Sequence, residues 1–404
     1  MVKIQPFDVE QWMDTYENTP DVLNIAETCS SSISISQLEE LNSADGRPKP
    51  IIDFSAKLTY GAIRGTEELR RGIAALYNDE NENENESPLS ADDILITQGA
   101  IAANHLIFYS LVGPGDHVIC VYPTYQQLYS VPESLGAEVS LWRLREEDGY
   151  VPNIEELKKL IKSNTKMLVL NNPNNPTGAI TPLPILSQII SIAQKHNITI
   201  LSDEVYRPLL HSPLSPSPSA LTLSLSHSYP LILSTSSVSK AWSLAGLRLG
   251  WIATRSQTLM KQLTSARDYT TISVSLIDDS VARYALTSAR DKLLARNMAL
   301  ARTNLALMTE FVEEDFRDFC DWTRPQGGTT AFVRFKTAKG EPVDDEEFCK
   351  DVLQKTGVLF VPGGKCFGRG VDFRGFVRIG YVCETEVLRS ALERLGGYVR
   401  EYLG

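Results

Sequence analysis

Between residues 94 and 266, short apolar runs alternate with segments of helix length. Ile94–Ile96, Val118–Val121, Met167–Leu170, Ile198–Leu201 and Leu231–Leu233 are too short for helices and read as buried strands. Helical patterns run roughly over Ala100–Leu111, Tyr125–Ser134, Ile185–Gln194 and Thr258–Ala266, and Gly113-Pro-Gly-Asp116 turns from helix to strand. Strands that alternate with helices predict βαβ units, hence an α/β fold with a mostly parallel central sheet and helices on both faces. From Arg290 the pattern changes. A long helical stretch to Glu314 leads into strands at Thr330–Phe335, Val358–Val361 and Phe376–Tyr381, with helices near Asp344–Lys355 and Glu384–Tyr402. This predicts a smaller α+β domain. The large domain is placed at 46–290, and the small one joins 291–404 to residues 1–45, which lie outside the alternation.

Two segments interrupt the pattern. Asp79 to Glu86 is an acidic low-complexity run and reads as a solvated loop. His211 to Pro230 is rich in Ser, Pro and Leu, and its prolines at 213, 216 and 218 oppose regular pairing.

Composition narrows the class. At 43% hydrophobic, 404 residues can fill a sizeable core, which argues against wholesale disorder. With 39 basic against 50 acidic side chains, a net charge of −11 and no basic stripe, a nucleic-acid partner is not expected. No stretch approaches the ~20 apolar residues of a membrane helix, and Met1-Val-Lys-Ile-Gln-Pro-Phe-Asp lacks a secretory core. The six cysteines are scattered with no Cys-x-x-Cys pair, and the five histidines show no metal spacing. A cytoplasmic, metal-free protein is expected.

In open parallel sheets the ligand sits beyond the carboxyl ends of the strands. Four predicted strands deliver unusual residues there: Gly99 after Ile94–Ile96, Asn171-Asn-Pro-Asn-Asn-Pro-Thr-Gly178 after Met167–Leu170, Asp203-Glu-Val-Tyr206 after Ile198–Leu201, and Ser234 to Lys240 after Leu231–Leu233. Thr97-Gln-Gly-Ala100 opens a helix whose free N–H groups can hold a phosphate, and Arg248 can add a guanidinium to it. Lys240 is an amine flanked by serines, and Asp203 is an acid at a strand end. A phosphate cradle, an amine nucleophile and an acid are the parts that pyridoxal phosphate requires.

Five motifs stand in one order: Asn172-Pro-Asn-Asn-Pro-Thr-Gly178, Ser202-Asp-Glu-Val-Tyr206, Ser237-Val-Ser-Lys-Ala-Trp-Ser-Leu-Ala-Gly-Leu-Arg248, Val361-Pro-Gly-Gly-Lys-Cys-Phe-Gly368 and Val377-Arg-Ile-Gly-Tyr381. Over nearly its whole length the sequence resembles the fold-type-I, class I/II aminotransferases. That resemblance implies pyridoxal 5'-phosphate as cofactor, an amino acid and a 2-oxo acid as substrates, and a homodimer. Lys240 would form the Schiff base and shuttle protons at the substrate Cα, and Asp203 would pair with the pyridinium nitrogen. Tyr206 and Asn175 would bond the ring's 3-oxygen, and Tyr125 would stack on its face. The backbone at Gly99, Ala100 and Ile101, with Ser237 and Arg248, would hold the phosphate. Tyr60 would reach that phosphate from a neighbouring subunit, and Arg378 would clamp the substrate carboxylate.

The same residues serve elimination, replacement, cyclisation or oxidation of an amino acid. Ile25-Ala-Glu-Thr-Cys29 departs from the glycine-containing segment of many aminotransferases. With Tyr122-Pro-Thr-Tyr-Gln-Gln-Leu-Tyr129 it is similar to capreomycidine-synthase-like enzymes, which cyclise a hydroxylated arginine. Glu27 would then select a cationic side chain; its plain alternative is a surface carboxylate. A structural reading of Gly363 to Gly370 as a glycine-rich loop suffices. A non-catalytic regulator is disfavoured, because no segment is left over for a DNA-binding domain.

Overall fold

The computed structural model describes residues 4–42, 50–80, 88–211, 217–224 and 226–404. In chain order its strands are β1 (Leu23–Asn24), β2 (Ile94–Thr97), β3 (His117–Tyr122), β4 (Glu138–Arg143), β5 (Thr165–Asn171), β6 (Thr199–Asp203) and β7 (Ile232–Ser237). They continue with β8 (Gly250–Ala253), β9 (Cys320–Trp322), β10 (Thr330–Phe335), β11 (Val358–Leu359), β12 (Val361–Pro362) and β13 (Phe376–Gly380). The large sheet runs β2-β8-β7-β6-β5-β3-β4 and is parallel except for β8, which lies antiparallel between β2 and β7.

Alternate side chains of these strands feed two separate apolar clusters. Val118, Cys120, Met167, Val169, Leu201 and Leu233 belong to one, while Ile119, Val121, Leu168, Leu170, Ile200 and Ile232 belong to the other. Both faces are covered, so the strands read as unbroken apolar runs in the sequence. The helices Gly99–Leu111, Gln127–Ser134 and Gln257–Arg267 contribute to the first cluster, and Leu183–His196 and Arg290–Thr309 to the second.

The C-terminal third carries an antiparallel sheet, β12-β13-β10-β9. Beside it lies a separate two-stranded sheet, in which β1 pairs in parallel with β11 in the register Leu23↔Val358. Trp12, on the helix Asp8–Tyr16, donates its indole N–H to the carbonyl of Phe360 at 3.0 Å. All six cysteines are free thiols, and no helix among the described residues is long and apolar enough to cross a membrane.

Several expectations need correction. The expected strand Val358–Val361 is two strands of two residues each, in different sheets, because the chain changes partner at Phe360. Gly363–Phe367 is a short helix and not a loop, and a side chain at Gly363 would meet the carbonyl of Phe376 at 2.6 Å. Strands β4 and β8 were not expected. The edge strand β4 is mostly part-exposed, and β8 is four residues long directly behind a turn. The acidic run is not solvated throughout. The carboxylate of Glu80 accepts from the Arg207 guanidinium and from Ser219 N at 3.1 Å. Its remainder, 81–86, lies outside the described residues, as do 212–216 and 225 of the Ser/Pro-rich segment. The described part of that segment buries Ser217, Ser219 and Ser224 and forms a single 3-10 turn, Thr222–Ser224.

Candidate active site

Strands β5 and β6 end side by side, with Asn171 opposite Asp203, and β7 brings Thr235 opposite Asp203 on the other side. Asp203 is buried. Its carboxylate accepts from Asn104 Nδ2 at 2.8 Å and from Val205 N at 3.2 Å. Burial pushes the Asp203 carboxyl up to about 6, against the pull of those two donors.

Lys240 lies in the turn after β7. Its Nζ donates to Thr28 Oγ1 at 2.8 Å and sits 3.3 Å from Cys29 Sγ and 3.4 Å from Glu27 Oε1. Burial disfavours the ammonium, but Cys29, Glu27 and Tyr206 around it outweigh that and raise its pKa. Glu27 Oε1 also accepts from the backbone N–H groups of Thr28 at 2.6 Å and Cys29 at 2.9 Å. Glu27 is half-exposed, and its partial desolvation works to raise the carboxyl; Lys240 and these donors hold it down at about 2. Burial pushes the Cys29 thiol up to about 11, against the pull of Lys240.

The phosphate end is set by close backbone approach. The helix Gly99–Leu111 starts without a side-chain cap, so its first N–H groups are open to an anion. Gly99 has φ +80°, and a side chain there would lie 3.0 Å from the Arg248 guanidinium. Gly250 of β8 passes so close that a Cβ would fall 2.6 Å from Ala100 N. Ser237 Oγ accepts from Ser239 N at 3.2 Å, which leaves its own O–H to donate.

Arg378 rises from β13 in the smaller sheet. It donates to the Ala26 carbonyl at 2.9 Å, and its Nη1 lies 3.4 Å from Asn175 Oδ1. Its Nε is buried with no partner, and among the described residues no carboxylate pairs with it. A buried, uncompensated guanidinium calls for an anionic ligand.

One cleft of about 450 Å³ gathers Ala100, Ile101, Tyr125, Asn175, Asp203, Tyr206, Ser237, Lys240, Arg248, Arg378 and Glu27. Gly99 lies directly behind it, under Arg248. Tyr206 is buried, which raises its phenol against the pull of Lys240 and Arg378. Tyr125 donates its hydroxyl to Glu10 Oε1 at 2.8 Å, with the Phe7 ring centred 4.8 Å away. Tyr60 is not brought in: it is 75% exposed and does not line the cleft. Thr28, Gln127 and Asn171, from segments singled out in the sequence, also line it, and so does Asn104, which lies outside them. Asn104 had a signal, being a lone amide in the apolar first half of a helix.

The model for aminotransferases of class I and II matches residues 29–395. The chain is 31% identical over 346 residues to capreomycidine synthase of Streptomyces vinaceus, covering 84% of this chain and 82% of that protein. Among solved structures, a pyridoxal-phosphate-dependent aminotransferase from Streptococcus suis is similar with a TM-score of 0.87 and 38% identity, over 99% of both chains. The pyridoxal-phosphate-dependent cyclase OrfR is similar with a TM-score of 0.82 and 25% identity, over 98% of this chain and 97% of that one. The chain belongs to the class I and II aminotransferase family, enzymes whose cofactor is pyridoxal 5'-phosphate. The residues fit that group. An uncapped helix start under Arg248 matches a phosphate, and a buried carboxylate at the strand ends matches a cationic ring nitrogen.

Proposed function

We propose that this enzyme moves an amino group between an amino acid and a 2-oxo acid. The observation that carries the reading is the joint placement of Lys240, buried Asp203 and the uncompensated Arg378 in one cleft. When bound, the cofactor supplies an aldehyde that takes up amines and a ring that accepts carbanion charge. Arg378 binds the substrate α-carboxylate through its unpartnered Nε and the N–H groups that Ala26 and Asn175 leave over, and so fixes the Cα. Lys240 removes the Cα proton and returns it. Asp203 would hold a proton at the ring nitrogen, and Tyr206 and Asn175 would hold the ring's 3-oxygen. Tyr125 would pack on the ring, and Gly99, Ala100, Ile101, Ser237 and Arg248 would hold the phosphate.

Tyr60 serves the phosphate of a second subunit in a homodimer. The exposed Phe54, Leu58, Tyr60 and Ile63 support this, since such apolar surface on one stretch marks an interface.

A second reading has one specific observation behind it. Glu10, Glu17 and Glu27 line the same cleft, so a substrate with a cationic, arginine-like side chain finds opposite charge there. The similarity to capreomycidine synthase and to a cyclase points the same way. The deciding experiment mixes the holoenzyme with a panel of amino acids and follows spectrum and products. A pyridoxamine form with an oxo acid supports transamination; ammonia, peroxide or a cyclic product replaces it with the second reading.

A further inference from the structure

Behind Asp203 lies a hydrogen-bond chain that the reaction as described does not use. Thr235 Oγ1 lies 2.7 Å from Asn104 Oδ1, and Asn104 Nδ2 lies 2.8 Å from Asp203 Oδ2. Thr235, Asn104 and Asp203 are all buried, and Thr235 is the register partner of Asp203 across β6 and β7. The direction of this chain follows from the groups themselves. A hydroxyl facing an amide oxygen must donate, so the amide oxygen is committed to Thr235. The amide N–H₂ end is then turned to Asp203, and an N–H can only donate. A second contact, 3.4 Å to Gln127 Oε1, holds the same N–H₂ group, and Gln127 is itself tied to the Ile101 carbonyl at 2.6 Å.

We propose that Asn104, locked by Thr235, is a positioning residue that turns a donor on Asp203 and so presents the carboxylate to the ring nitrogen in its anionic form. A donor-only contact stabilises the charged carboxylate and cannot stabilise the neutral acid by accepting its proton. Without it, Asp203 sits in a buried pocket whose other influences oppose one another. Val205 N donates and Lys240 attracts, while burial and the neighbouring Glu204 carboxylate favour the neutral acid. Asn104 is thus the side-chain donor from the helix that also begins the phosphate cradle. A single helix, Gly99–Leu111, would set both ends of the cofactor.

The inference rests on Asp203 facing the ring nitrogen, and its test separates the two. Isotope-edited infrared titration follows the Asp203 carboxyl in cofactor-free protein, assigned against Asp203→Asn, and equilibrium dialysis measures cofactor affinity. In Asn104→Leu and in Thr235→Val the carboxyl midpoint should rise by about one pH unit or more, and the cofactor should bind about tenfold more weakly. Thr235→Ser, which keeps the hydroxyl, should restore both values. Thr235→Val preserves shape and guards against misfolding of the Asn104 variant. If Asp203→Asn weakens cofactor binding but Asn104→Leu and Thr235→Val leave midpoint and affinity unchanged, the positioning role is overturned. If Asp203→Asn itself binds cofactor as the wild type does, the Asp203 reading fails and this inference falls with it.

Discussion

Arg378 and Asn175 meet across the two sheets, with Nη1 of the β13 arginine 3.4 Å from Oδ1 of the asparagine that follows β5. The guanidinium is thereby aimed from the smaller sheet into a cleft floored by the larger one. Its Nε has no partner of its own. Replacing Arg378 by Lys keeps the charge but loses the planar fork. We expect KM for the amino acid to rise about tenfold to a hundredfold, roughly the 1.5–3 kcal/mol of a charge-assisted hydrogen bond. An unchanged KM by steady-state kinetics would remove Arg378 from the substrate site.

Lys240→Ala should abolish the absorbance of the covalently held cofactor and lower turnover by at least about a thousandfold, since both binding and proton transfer use this amine. Spectrophotometry and single-turnover assays read the two effects separately. Full activity in this variant contradicts the scheme.

Glu27→Gln should leave the protein folded and weaken basic substrates relative to neutral ones. The carboxylate is half-exposed and its backbone contacts accept equally well through an amide oxygen. Ratios of kcat/KM for arginine-like and neutral amino acids check this. No change in preference dismisses a selective role.

Asp203 makes a pH prediction with a definite sign. Its carboxyl titrates at about 6 in the folded chain against 3.8 when free. Between these values the folded state holds a proton that the unfolded state has lost. The stability contributed is therefore present below about 4 and falls as pH rises through about 6, on the order of 3 kcal/mol in all. Urea titrations of cofactor-free protein should show the decline, and Asp203→Asn should flatten it.

Glu80→Ala should destabilise the chain by about 2–3 kcal/mol, because Arg207 is buried and its other carboxylate, Glu204, lies 3.9 Å away. A shift in urea midpoint at unchanged slope is the expected result. No shift would return Glu80 to the surface.

What could be read from the sequence was whatever has a local cause. The strands of the large sheet announced themselves because both their faces are buried, and Asp203 and Lys240 because each lies at or just past the carboxyl end of such a strand. Strand β4 could not be read, since an edge strand mixes exposed and buried positions, and β8 is hidden behind the Arg248 turn. Asn104 belongs to no motif, and Thr28, although inside the Ile25–Cys29 segment, has no side chain that marks it there; each acquires its partner only when distant segments meet: Asp203 in one case, Lys240 in the other.

The pairing of β1 with β11 has a consequence for synthesis. The residues that hold Lys240, Thr28 and its neighbours, precede it in the chain, yet the strand that anchors them, Val358–Leu359, is translated long after it. A nascent chain can complete its large sheet and its phosphate cradle well before that strand appears. It has no fixed Thr28 until that strand arrives, and Arg378 is made later still. Catalysis therefore waits for Val358–Leu359 to pair with Leu23–Asn24 and for Arg378 to follow.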